Sequence, residues 1–241
     1  MDHILLILVM VFSGFIASII SAIVGFGGAI LLLPLLTYSI GIKTAIPLLT
    51  IAQIFGNASR VWFGRKELVW KPIFNFLITA IPFVIIGSVL FLYVNGYIIK
   101  IIVGMLLIII VIGKRILKNK LKVNNKGIYL GGALTGIISG IAGSSGPLSA
   151  LLFNALDLSK NAYIASEAFT ALVMHIIKTI LYKKYLEIET DIIIYGIIIG
   201  STMILGSYLG KKVMEKIPKK YFQIIVEICL VLSGIQMIIV K

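Results

Sequence analysis

Charge, acidic residues and cysteine are what this sequence has least of. Only 13% of its 241 residues are charged, with nine Asp and Glu against 22 Lys and Arg, two histidines and one cysteine. The lone Cys229 excludes an intramolecular disulfide framework and argues against a Cys/His metal cluster; no metal and no cofactor is expected. With 60% hydrophobic residues and a mean hydropathy of +1.12, the chain has too little polar surface to coat a soluble globule. No soluble domain is visible. The apolar runs do not alternate as barrel strands would, so helices that satisfy their own backbone groups are expected. The opening MDHILLILVM has neither a basic leader nor a small-residue cleavage site and reads as a retained membrane segment.

The formal net charge of +13 raises the question of nucleic acid. The basic residues, however, sit in short loops between apolar runs, with no basic groove or stacking aromatics beside them. They read as topology signals, so no nucleic-acid partner is expected and the surrounding partner is the lipid bilayer.

Apolar segments fall at about 4–39, 44–64, 72–94, 97–113, 127–156, 161–182, 191–210 and 221–240. The lysine-rich stretch 114–126 is the most polar connection and separates a first membrane repeat, 1–113, from a second, 127–241. Sliding one over the other aligns SGFIASIISAIVGFGG (13–28) with GGALTGIISGIAGSSG (131–146), with seven identities in sixteen at an offset of 118. Gly87-Ser88 matches Gly206-Ser207 at an offset of 119, and Thr50 is aligned with Glu167 at 117.

The first and fifth segments are interrupted by glycines. If each folds as a hairpin that enters and leaves by one side, most of the 22 Lys and Arg, including Arg60, collect on one face. Straight crossings would put the basic loop 211–220 on the other face, so the positive-inside rule prefers hairpins. Segment 4–39 is also nearly twice as long as a single crossing requires. Each half then has a glycine-broken hairpin plus three transmembrane helices. The expected fold is therefore an all-α integral membrane protein of two inverted repeats. Both termini are predicted outside a multi-pass cell-membrane protein, with loops 65–71, 114–126 and 211–220 cytosolic.

Backbone broken at membrane depth is tolerated where protein or a water-filled cavity covers it. Paired breaks in corresponding places of two halves point to a midplane transport site. Gly25, Phe26, Gly27 and Gly28 in one half, and Gly143, Ser144, Ser145 and Gly146 in the other, are the candidate substrate-binding residues. Ala29 and Pro147 are read as the first residues of short helices, whose free N–H groups and positive dipole ends suit an anion. The serines can donate to an oxyanion, and Phe26 can shape or gate. Close helix packing is the competing reading, and it is preferred for Gly132 and Gly136.

Gln53, Asn57 and Arg60 share one helical face. For Gln53 and Asn57, lining a pathway and bonding between helices are equal alternatives. Glu167 lies mid-segment, where a charge costs about 2.5–3.5 kcal/mol. A buried carboxyl there suits a proton carrier; the alternative is a shallow residue reaching headgroups or pairing with a lysine. His175 falls on roughly the same face, as a proton relay or a packing residue. Lys178 is read as snorkelling to its helix end, Glu227 as a weaker acidic candidate, and Trp62 and Trp70 as interfacial anchors.

The eight-segment layout, the pair SAIVGFGGAILLLPLL and SGIAGSSGPLSALLF with Pro34 and Pro147, and the repeated Gly-Ser of IIGS and ILGS resemble the TauE/SafE sulfite-exporter family across essentially the whole chain. The resemblance implies a secondary transporter of a small sulfur-containing anion such as sulfite or a sulfonate, with protons as candidate coupling ion. It puts the sites around 25–28 and 143–146. No arginine falls within those motifs, so recognition is expected from backbone N–H groups and hydroxyls. A passive anion channel on the same scaffold is the alternative. An intramembrane enzyme is disfavoured because no Ser/His/Asp or His/Glu constellation occurs at helical spacing. Monomer and homo-oligomer are both compatible with the sequence.

Overall fold

The computed structural model describes residues 3–117, 125–156, 158–186 and 188–214, with 231, 232, 235, 238 and 239. Cys229, Glu227 and most of loops 114–126 and 211–220 lie outside the described residues. The described chain is all-helical: α1 (His3–Val24), α2 (Gly28–Ile40), α3 (Ile42–Gly64), a 3-10 turn (Arg65–Glu67), α4 (Trp70–Tyr93), α5 (Gly96–Leu117), α6 (Asn125–Ala142), α7 (Gly146–Asn154), α8 (Lys160–Tyr185) and α9 (Thr190–Met214). Four of these are long and apolar enough to cross a membrane: most of α1, and α4, α8 and α9. Their outward faces are apolar, as with Leu8, Phe12 and Ile16 on α1, while Ser18, Ser21, Gln53, Asn57 and Ser139 are buried. That inversion of the soluble pattern is what a lipid solvent selects. Trp62 and Trp70 are exposed, and Arg65 lies over the Trp62 ring.

The two glycine-broken segments are hairpins. A Cβ on Gly28 would touch Ser21 and the Ala17 carbonyl, and one on Gly131 would meet Leu152, so α2 and α7 double back along α1 and α6. With 13 and 9 residues, they span only about 20 and 14 Å, part of a bilayer core. They begin at Gly28 and Gly146, one residue before the Ala29 and Pro147 expected from sequence.

The repeats are inverted. Helices α3 and α8 are counterparts, yet they pack antiparallel: Gly64 lies against Ala165, and Arg60 four residues back reaches Glu167. Their register is 118, which sets Leu49 rather than Thr50 opposite Glu167; the offset of 117 is corrected by Arg60 and Lys178, which make the same contact in each half (below). Helix α3 runs parallel to α9, and the turn at 65–67, the start of α8 and the end of α9 share one face, joined by Lys211 donating to the Phe63 carbonyl at 2.8 Å. The hairpin arrangement places them so.

Packing crosses between the halves. One apolar cluster joins α1, α2 and α3 with Ile199 and Met203 of α9; the other joins α6, α7 and α8 with Ile73, Phe76 and Ala80 of α4. Small residues allow the approach: a Cβ on Gly132, Gly136 or Gly140 would strike the α4 backbone, in agreement with a packing role. The two equivalent pairs differ in register. Gly87 of α4 rests on the Ile137 carbonyl of α6, whereas on the Ile19 carbonyl, the counterpart of Ile137, rests Gly210 of α9. Gly87 and Gly210 are 123 apart, four residues more than the 119 of the sequence repeat.

Candidate functional site

Each break is a glycine-built turn. Gly25 and Gly27 have φ of 89° and 105°, and Gly143 has φ of 75°, a left-handed region that a side chain makes costly. Gly25 also has no room for a Cβ, which would lie 2.5 Å from the Tyr163 hydroxyl oxygen. That hydroxyl donates to the Val24 carbonyl at 2.9 Å, so the last turn of α1 is capped by a residue of the other half. The tips meet: a Cβ on Gly146 would touch the Phe26 Cβ at 3.4 Å, with the Gly27 nitrogen at 3.9 Å.

Between the tips is a cavity of about 20 Å³, lined by residues of both hairpins, α3 and α8. It gathers Phe26, Gly27, Gly28, Ser144, Ser145, Gly146, Gln53, Asn57, Glu167 and His175. Of the sequence candidates, Gly25 and Gly143 do not line it; they form the turns behind it. Room for about one water means that an anion requires the tips to part. The open N–H groups of Gly28 and Ala29 start α2, whose first intrahelical bond, from Leu31 to the Gly27 carbonyl, comes later. The Gln53 Nε2, on a side chain only 3% exposed, lies beside Gly28 and has no hydrogen-bond partner; neither has His175 Nδ1. Asn57 donates to the Gln53 carbonyl at 2.8 Å. Ser144 Oγ accepts from the Gly146 nitrogen at 3.5 Å.

The sequence reading singled out Glu167 but missed the two cations, Arg60 and Lys178. Arg60, counted among basic residues of a membrane face, is buried. Its guanidinium donates to the Gly25 carbonyl at 2.7 Å, to Asn57 Oδ1, and to Glu167 Oε2 at 3.4 Å in an ion pair. Glu167 is 1% exposed, and its other oxygen accepts from the Ser149 hydroxyl at 2.7 Å. It therefore faces the interior and pairs with an arginine, not with headgroups or a lysine.

Lys178 does not snorkel. It is 0% exposed and donates to Gly143 O at 2.7 Å, Ser139 Oγ at 3.0 Å and Ser139 O at 3.3 Å. The reason is local: the α6 break leaves carbonyls without helical partners, and Lys178 is the cation that packs beside them. Arg60 and Lys178 are 118 residues apart, as are Gly25 and Gly143. Each break thus has its terminal carbonyl held by a cation of its own half, and this shared offset is the signal that could have found both residues. Recognition by backbone and hydroxyls alone is corrected accordingly: Arg60 is on the cavity wall.

A second cavity, of about 270 Å³, opens beside the first at the face where α3 ends. Arg60 belongs to the walls of both.

Comparison with curated proteins and with solved structures finds no match. The family profile described as Sulfite exporter TauE/SafE matches residues 10–237, nearly the whole chain, and takes in both hairpins. An all-helical membrane architecture with two inverted, glycine-broken halves, matched over that length, places this chain in the TauE/SafE sulfite exporter family, a family of membrane transporters.

Proposed function

We propose that the protein is a secondary transporter that carries a small sulfur-containing oxyanion through the cavity between the hairpin tips by alternating access. The observation that carries the reading is convergence. Two helix starts from oppositely inserted halves meet at one small cavity, which also holds an unpartnered amide and a buried ion pair. Helix N-termini favour negative charge, and inverted-repeat transporters place substrate between broken helices. The backbone at Gly27, Gly28 and Gly146, with Ser144, Ser145, Gln53 and Asn57, is assigned to the anion, and Gly25 and Gly143 to the turns that aim it. Glu167 is assigned the proton: protonated, it would release Arg60 to the anion, with His175 as relay.

In this reading residues 1–113 and 127–241 are the two membrane repeats and 114–126 the linker. The chain lies in the cell membrane with both termini outside. Loops 65–71, 114–126 and 211–220 face the cytosol.

Uptake of radiolabelled sulfite into proteoliposomes, with and without an imposed pH gradient, tests this. Saturable, gradient-accelerated uptake is expected. Ser144→Ala/Ser145→Ala should cost at least tenfold in kcat/KM, since hydrogen bonds to a charged group contribute about 1.5–3 kcal/mol each. Glu167→Gln should lose only the acceleration. If sulfite, sulfate, thiosulfate and methanesulfonate all enter no faster than into empty vesicles, the proposal fails.

A further inference from the structure

The walls of the 270 Å³ vestibule gather basic residues. Its walls include Arg60, Arg65, Lys66 and Lys211, with Glu67 as the acidic member. Lys66 is exposed, and Lys211 is tied to the Phe63 carbonyl. Gly64 and Asn161 leave it open. In the register of 118, the residue corresponding to Gly64 is Tyr182, and the one corresponding to Asn161 is Lys43. Tyr182 is wholly buried, packs on Phe91 at 5.1 Å between ring centroids and donates to the Gly140 carbonyl at 2.9 Å. Lys43 donates to the Phe91 carbonyl and, at 3.3 Å, to that of Leu92. The two positions that open the vestibule on one face are thus taken on the other by a buried tyrosine and a lysine tied to backbone carbonyls.

We propose that the vestibule is a second anion site, which concentrates sulfonates and sulfur oxyanions and delivers them to Arg60 at its floor. Four cations outweigh Glu67 in these walls, and concave walls of predominantly one sign with low-dielectric backing focus field and raise the local concentration of counter-ions. Arg60 is the only one of the four cations shared with the tip cavity, so an anion that leaves the vestibule inward meets it first. This site rests on the transport reading, but it is tested without transport.

The test introduces one thiol, Asn161→Cys, into a Cys229→Ala background, in neutral detergent. The thiolate is reacted with the anionic sulfonatoethyl methanethiosulfonate or its cationic trimethylammonium analogue. Each forms a mixed disulfide and releases methanesulfinate, and rates are normalised to a free thiol. Asn95→Cys, on the opposite face, is the control. The anionic reagent should react about tenfold faster than the cationic one at Asn161→Cys and without preference at Asn95→Cys. Lys66→Gln, which removes no contact, and Lys211→Gln should each reduce the preference, and sulfate should slow the reaction. Equal rates for both reagents, no reaction at all, or the same preference at Asn95→Cys would overturn the site. If phosphatidylglycerol abolishes the preference while sulfate does not compete, the vestibule binds a lipid headgroup instead and the proposal fails. Because no flux is measured, loss of the transport reading leaves this result untouched.

Discussion

Breaking the Arg60–Glu167 pair from either side should give unequal losses of stability, and the structure sets the order. In Arg60→Met the Glu167 carboxylate, 1% exposed, retains only the Ser149 hydroxyl at 2.7 Å. An uncompensated buried charge costs about 3–5 kcal/mol. The same change strips the Gly25 carbonyl and Asn57 Oδ1 of their donor. In Glu167→Gln the guanidinium keeps both of those acceptors, so the expected loss is smaller, about 1–3 kcal/mol. The double variant Arg60→Met/Glu167→Gln removes both charges and should recover at least about 2 kcal/mol relative to the sum of the singles. For a chain of this length 1 kcal/mol moves Tm by about 2–4 °C, so Arg60→Met should lower it by about 6–20 °C. Tryptophan fluorescence during heating in detergent reads this, at one fixed scan rate because unfolding of such proteins is commonly irreversible. Additivity of the two single losses within about 0.5 kcal/mol would refute the pair as an energetic unit, and with it the idea that Glu167 controls how Arg60 is engaged.

Other expectations follow from neighbouring geometry. Gly41→Ala and Gly25→Ala both force a side chain into a positive φ, of 75° and 89°, but nothing lies within 4 Å of a Cβ at Gly41, whereas one at Gly25 meets Tyr163. Gly41→Ala should cost only the backbone strain of about 1–3 kcal/mol, and Gly25→Ala distinctly more in the same thermal assay; equal losses would mean that the Tyr163 contact is not maintained. Lys178→Met leaves the Gly143 carbonyl without its donor and should lower Tm, while Lys178→Arg, which can still donate there, should recover most of it. Failure of the arginine to recover anything would argue that the lysine's shape, not its bond to the break, is what matters.

The breaks were legible because they depend on local chemistry. Positive φ demands glycine, the two motifs sit at corresponding places, and their apolar surroundings mark the segments as membrane helices. The hairpins followed from segment length and the placement of Lys and Arg. Arg60 and Lys178 were misjudged because hydropathy counts distance along a helix and not what packs against it. Helix α8 has 26 residues, about 39 Å, longer than the bilayer core, so a lysine two turns from its end is compatible with either fate. Only the carbonyls opened by the α6 break decide between them. Glu167 was harder still: its repeat counterpart is Leu49, so symmetry gives it no partner, and Arg60 reaches it only because α3 and α8 run antiparallel.

The register difference between the halves bears on how such a site is reached. Sequence equates the two hairpin-supporting helix pairs, yet α9 sits against α1 four residues away from where α4 sits against α6. Four residues are about one helical turn, the step by which packed helices move between two stable arrangements, since ridges fit grooves one turn apart and not between. The same asymmetry is present at the faces, with a vestibule beside Arg60 and Tyr182 wedged beside Lys178. On the transport proposal, two packings of equivalent repeats would supply the two ends of an alternating-access cycle, and the chemical differences between the halves, Arg60 against Lys178 and Glu167 against Leu49, would make those ends unequal in their hold on an anion.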